Sequence, residues 1–300
     1  MMLFGAVVTS KLLASAGVST AAAPPALLSK TLVPGTHCLD GTAAGYYSRL
    51  NVSSTAWVIY LEGGGACSDE ASCKSRAKTR LGSSETWPAT MVGVGFLDAN
   101  TSTNPDFATA NHVHIPYANG DCHSGNRTIP SVDTYGLYFS GSRNFEAIVA
   151  ALLARSGLGT ATHVLLTGGS AGGIGTLKQV DNLAQMLGPT VIVKGAPNAG
   201  WFFPAETGDI GNKERQPELH RTSRWPPSDF ADFAEGHVGG WNNETVSTLV
   251  SLWDSILNPQ CVADQANPAV CWNVDSLYTY IKQPLFIIEN QLLLWTTWVL

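Results

Sequence analysis

Leu166-Thr167-Gly168-Gly169-Ser170-Ala171-Gly172-Gly173-Ile174 sets a serine in a G-x-S-x-G frame between a strand-like and a helix-like segment. A serine so placed can attack an ester carbonyl. Gly168 and Gly172 allow a turn sharp enough to hold the Ser170 hydroxyl out at the carboxyl end of a sheet, with the Ala171 N–H aimed at the developing oxyanion. Acyl transfer needs a further N–H donor, and Gly63-Gly64-Gly65, closing an apolar run, can bring backbone close enough to a substrate oxygen. Alone the triplet reads as an ordinary glycine turn; with the serine motif about a hundred residues on, Gly63 and Gly64 become oxyanion-hole candidates beside Ala171.

Two other chemistries can be drawn from the same letters. Gly169 to Gly175 also satisfies G-x-x-x-G-I-G, and with Asn198-Ala199-Gly200 and the Y-x-x-x-K of Tyr278 to Lys282 it resembles the short-chain dehydrogenases. There Tyr278 would be the acid and Lys282 would lower its pKa. Such a fold opens on its cofactor strand, whereas over half of this chain precedes the motif, and Lys194 stands where an acidic ribose ligand belongs. Metal chemistry is the second: His112 and His114 alternate on a strand and share a face, but no third ligand accompanies them, so neither metal nor cofactor is expected. Of the other histidines, His37, His123, His163, His220 and His237, the last lies in a glycine-flanked loop near Asp229 and Asp232 and reads as a surface residue rather than a recruited base.

The segments around these motifs alternate between strand and helix patterns. Leu32 to Asp40 and Ala44 to Arg49 read as an early hairpin, and Trp57 to Leu61, His112 to Tyr117, His163 to Leu166 and Val191 to Gly195 as buried strands. Arg143 to Leu153, Gly175 to Leu187, Phe230 to Ala234 and Val246 to Ile256 have helical spacing, and Leu285 to Ile288 is a final strand. Ser83 to Asn111 is a Gly/Pro/Asn-rich loop region. This alternation implies a largely parallel sheet, and 300 residues with 44% hydrophobic content can bury one substantial α/β core.

A formal net charge of −6 and no basic cluster exclude nucleic acid as a partner, and Leu292 to Leu300 is too short to span a bilayer. Residues 1–23 are apolar and small, broken by Lys11 and ending in Thr20-Ala21-Ala22-Ala23, which reads as a secretory signal. Sequons at Asn51, Asn100, Asn126 and Asn243 agree with export. Cys38, Cys67, Cys73, Cys122, Cys261 and Cys271 form an even set without metal spacing, suited to disulfides in an oxidising compartment. Sequence cannot fix the pairing; proximity favours Cys67 with Cys73 and Cys261 with Cys271, leaving Cys38 with Cys122.

Tyr60-Leu61-Glu62-Gly63-Gly64-Gly65-Ala66-Cys67, then Ile115-Pro116-Tyr117 with Asp121 and Ser124-Gly125, then Gly169 to Gly173, then Asn198-Ala199-Gly200-Trp201-Phe202 follow in an order that resembles the pectin acetylesterase and Notum family, over roughly Leu32 to Gln291. The resemblance implies an α/β-hydrolase-like fold, a mostly parallel central sheet flanked by helices, in one domain over residues 30–300. It also implies a secreted, monomeric, metal-free serine carboxylesterase of the extracellular space or cell wall, acting on an acylated polysaccharide or another O-acyl ester. Carried over, Ser170 is the nucleophile and Gly63, Gly64 and Ala171 the oxyanion hole, while Asn198 stands where the family has an aspartate in D-S-G-W. The family's triad aspartate follows the late strand and its histidine comes later still. Leu293 falls about where that aspartate belongs, and nothing up to Leu300 supplies the histidine, so the chain reads as divergent after 291, lacking the C-terminal elements and impaired as a catalyst. The alternative from another class is a non-catalytic glycan- or lipid-binding protein that retains the pocket.

Overall fold

The structure, a computed structural model, describes residues 26–202 and 242–289. Seven strands form one mixed sheet in the order β4-β1-β2-β5-β3-β6-β7. β1 (Leu27–Leu32), β2 (Gly45–Arg49) and β4 (Thr90–Val92) make the antiparallel half. β5 (Asn111–Ile115), β3 (Ala56–Leu61), β6 (His163–Gly169) and β7 (Ile192–Asn198) make the parallel half, which carries the motifs. Leu285 and Ile288 bridge to Gly195 and Asn198 in parallel, so the expected late strand does run along β7.

The helices are α1 (Glu70–Arg76), α2 (Gly141–Arg155), α3 (Ala171–Leu187), α4 (Asn243–Trp253), α5 (Pro259–Asp264) and α6 (Val274–Tyr278). Strand alternation sends Trp57, Ile59 and Leu61 of β3 to one face, where they meet Phe145, Ile148 and Leu152 of α2 and Val180 and Leu183 of α3. Burying each large apolar side chain there contributes about 1.5–3 kcal/mol, and this layer fixes α3 against β6. The other face packs Val58 and Tyr47 under Leu28, Trp87 and Leu97. A third cluster joins the first turns of α3 to α4 and α6 through Ile174, Leu177, Val246, Trp253, Val274 and Leu277.

Two sequence expectations need correction. The first strand precedes Pro34-Gly35 instead of running through Leu32 to Asp40: Gly35 has φ +81° and Thr36 N–H turns back to Val33 O, which ends the strand. Within Ser83 to Asn111 lies the short edge strand β4, paired with β1. Residues 1–23, the segment Phe230 to Ala234, His220, His237, Asp229, Asp232, Leu293 and Leu292 to Leu300 lie outside the described residues. Among the described residues no helix is long and apolar enough to cross a membrane.

Candidate active site

Ser170 occupies the single residue between β6 and α3, with φ +54° and ψ −120°. A non-glycine residue there is strained, and it persists because its surroundings fix the turn. A Cβ on Gly168 would stand 2.5 Å from Gly172 O and 2.6 Å from Leu61 O, and one on Gly172 would fall on the Leu61 carbonyl. Hence both glycines of the motif are steric requirements. The Ser170 N–H donates to Asn198 O at 2.9 Å, and its own carbonyl accepts the first helical bond from Ile174 N at 3.0 Å. The side chain is partly accessible, and its hydroxyl has no hydrogen-bond partner among the described residues.

The glycine triplet lies directly against this turn. A Cβ on Gly63 would fall on Gly169 O and come within 3.1 Å of the Ser170 Cβ. Gly64 and Gly65 have φ of +146° and +69°, values that favour glycine. The N–H groups of Gly63, Gly64 and Gly65 bond to no described residue, and Ala171, the first residue of α3, has no intrahelical acceptor for its own. The accessible hydroxyl at this helix N-terminus, where negative charge is favoured, thus has the glycine loop against it through Gly63, and the loop's amides bond to no described residue. The Gly65 amide was not among the sequence candidates; the third glycine of the run was its only signal.

Glu62 anchors the loop to β5. Its carboxylate accepts Tyr117 N–H at 3.0 Å and Arg80 Nη1 at 2.6 Å, with His114 Nε2 at 3.8 Å. Burial pushes this carboxyl up, but His114 and then Arg80 outweigh it and hold it at about 2. Asp121, fully buried, receives His123 N–H at 3.0 Å and Gly141 N–H, at the start of α2, at 2.7 Å. Burial raises its carboxyl to about 6 against those donors, and its oxygens leave no room for a Cβ on Gly125 or Gly141. His112 and His114 serve structure: His112 Nε2 bonds Phe107 O at 2.7 Å, and His114 stacks on Tyr60.

Asn198 stands where the resemblance implies an aspartate, and a carboxylate reaches its loop from elsewhere. Glu289, just after the late strand, accepts Gly200 N–H at 2.9 Å and Trp201 N–H at 2.7 Å. Sequence reading missed it because the partners are nearly ninety residues apart. Tyr278 packs edge-on against Trp201 at 5.0 Å, and Lys282 N–H bonds the Asp181 carboxylate. Gly173 meets Gly200 backbone, so the Asn198–Trp201 loop closes this side of the serine turn.

Disulfides join Cys67 to Cys73 and Cys261 to Cys271. The expected Cys38–Cys122 bond is absent: both are buried free thiols, Cys38 in the cluster with Leu28 and Tyr47 and Cys122 in the one with Tyr117 and Trp253. Asn100 and Asn243 are exposed, while Asn51 and Asn126 are half-buried and donate their amides to Thr109 O at 2.7 Å and Asp254 Oδ2 at 2.9 Å.

A family model described as Pectinacetylesterase matches residues 18–297. Palmitoleoyl-protein carboxylesterase NOTUM of Mus musculus is 40% identical over 262 residues, 84% of this chain and 47% of that protein. Pectin acetylesterase 4 of Arabidopsis thaliana is 32% identical over 266 residues, 88% of this chain and 58% of that protein. The chain spans about half the length of the curated relatives it matches. Its fold matches a crystal structure of the Wnt deacylase Notum from Drosophila with a TM-score of 0.71 and 29% identity, covering 87% of this chain and 71% of that one. With the serine turn, the glycine loop and the parallel half-sheet in one α/β-hydrolase-like frame, the chain belongs to the pectinacetylesterase family, whose members are carboxylesterases.

Proposed function

We propose that Ser170 is the nucleophile of a secreted carboxylesterase that removes O-acetyl or other O-acyl groups from a polysaccharide. The observation that carries this reading is the accessible Ser170 hydroxyl on its strained turn, with Gly63 packed against it and the N–H groups of Gly63, Gly64 and Ala171 bonded to no described residue. Oγ would attack the ester carbonyl, the amides would receive the oxyanion, and collapse would expel the sugar hydroxyl and leave an acyl-serine for water to cleave. The family description and the Arabidopsis relative support acetylated pectin as substrate; the Notum relatives, by name palmitoleoyl-protein carboxylesterases, make a longer acyl chain the competing choice. The two disulfides support secretion.

No histidine among the described residues bonds the Ser170 hydroxyl, and an unassisted serine is a weak nucleophile. Slow turnover of the 300-residue chain is therefore expected, and the same observation favours a second reading as a glycan- or lipid-binding protein without catalysis. The test is hydrolysis of acetylated pectin, a chromogenic acetate ester and a palmitoleoylated peptide by the chain and by Ser170→Ala, with a fluorophosphonate adduct mapped by peptide mass. Equal turnover by the two proteins, with no adduct on Ser170, would remove Ser170 from the mechanism and leave the binding reading.

A further inference from the structure

The glycine loop is gripped from behind at two of its carbonyls. His123 Nε2 lies 2.9 Å from Glu62 O, and because a carbonyl only accepts, Nε2 carries the ring proton. Arg76, the last residue of α1, donates its Nη2 to Gly64 O. Neither side chain is free to wander. The His123 ring is buried, tilts against Tyr117 at 4.9 Å and fills the space a Cβ on Gly175 would need. The Arg76 guanidinium sits 5.0 Å from the Tyr117 ring centroid, and the Cys67–Cys73 disulfide ties α1 to the end of the loop.

Every peptide bond of the described chain is trans, so each carbonyl opposes the N–H of the next residue across one plane. Holding Glu62 O toward His123 turns the Gly63 N–H the other way, and holding Gly64 O toward Arg76 does the same for Gly65. Those are amides without an acceptor among the described residues. With φ values that favour glycine, the loop has little intrinsic preference for one peptide orientation, and something outside it must choose. We infer that Arg76 and His123 are positioning residues that set the amide orientation of the glycine loop beside Ser170. For catalysis the inference rests on the Ser170 reading; for loop order it does not.

Two readouts keep these apart. In glycine-selective ¹⁵N-labelled full chain, the heteronuclear NOE of Gly63 and Gly65 should match that of rigid backbone. Arg76→Met should lower the value at Gly65 and His123→Phe at Gly63, with the remaining glycines unchanged and Arg76→Lys largely restoring order. In parallel, fluorophosphonate labelling of Ser170 should slow roughly tenfold to a hundredfold in His123→Phe, the size of effect expected for a misplaced Gly63 donor, with the inhibitor's saturation constant nearly unchanged. Loop amides as ordered in both variants as in the parent would overturn the proposal. A parent that never labels at Ser170 defeats the nucleophile reading, while the NOE values still decide the loop. Should His123→Phe not fold, the NOE of Gly65 in Arg76→Met decides: order equal to the parent overturns the proposal.

Discussion

Gly63 touches both the Gly169 carbonyl and the Ser170 Cβ, so at this residue one methyl group separates a working geometry from a blocked one. Gly63→Ala should cut fluorophosphonate labelling of Ser170 by about a hundredfold or more, because backbone must move to admit the Cβ and a displacement of about 1 Å is enough. Gly65→Ala differs in kind: a Cβ there meets nothing within 4 Å, so its cost is the φ of +69°, about 1–2 kcal/mol of stability. Comparable labelling by Gly63→Ala and the parent would mean the loop does not abut the reacting oxygen. Ser170 and the glycines were legible in sequence because their requirement is local, a few residues of tight backbone. Glu289, His123 and Arg76 were not: His123 and Glu289 meet partners about sixty and ninety residues away, and Arg76 is twelve residues from Gly64 with no periodic pattern between them.

At the scale of elements, α3 carries the site because it starts immediately after the serine and lies close enough to β3 for Gly172 to touch the Leu61 carbonyl. Alanine for glycine within a helix ordinarily gains about 0.5–1 kcal/mol. At Gly172 the sign should reverse. The added Cβ collides with strand backbone, an overpacking cost of roughly 1–3 kcal/mol or more, so Gly172→Ala should lower the thermal midpoint by about 2–10 °C in calorimetry. An unchanged or raised midpoint would show that α3 can lift off the sheet at no cost. Helical periodicity placed α3 four residues late, at Gly175, because Ala171 to Ile174 is glycine-rich and carries little periodic signal. The buried strands β3, β5, β6 and β7 were legible as apolar runs, whereas β4 is three residues of edge strand and has no such run.

For the molecule as a whole, the cysteine spacing gave only two of the three expected pairings, since pairing depends on which cluster each thiol joins after folding. Alkylation should accordingly find no reactive thiol in the native chain and two, on Cys38 and Cys122, in the denatured unreduced chain; a third disulfide by peptide mapping would contradict this. The same burial governs the response to pH. Glu62, held at about 2 against an ordinary 4.5, contributes stability above pH 4.5 that is lost as pH falls toward 2. Asp121, raised from 3.8 to about 6, works in reverse: its contribution is full below 3.8 and is lost as pH rises through 6. Lys178 sets the alkaline side. Its Nζ lies 4.2 Å from the Trp272 ring centroid and donates to Trp272 O at 2.6 Å, and no carboxylate among the described residues pairs with it, so burial brings it down to about 7, with Cys122 pulling the other way. Between about pH 7 and 10.5 the unfolded chain then holds this proton and the folded chain does not, so Lys178 makes stability rise with pH across that window. Cys38 and Cys122, pushed by burial to about 11 and about 12, lower stability as pH climbs past 9, so the parent profile alone mixes opposite slopes. The difference between Lys178→Met and the parent isolates the lysine. In urea unfolding at successive pH values, the variant should stand highest relative to the parent below pH 7 and lose that advantage steadily toward pH 10.5. A difference that stays constant with pH would mean that the ammonium remains charged beneath Trp272 and that the ring and carbonyl solvate it as well as water does.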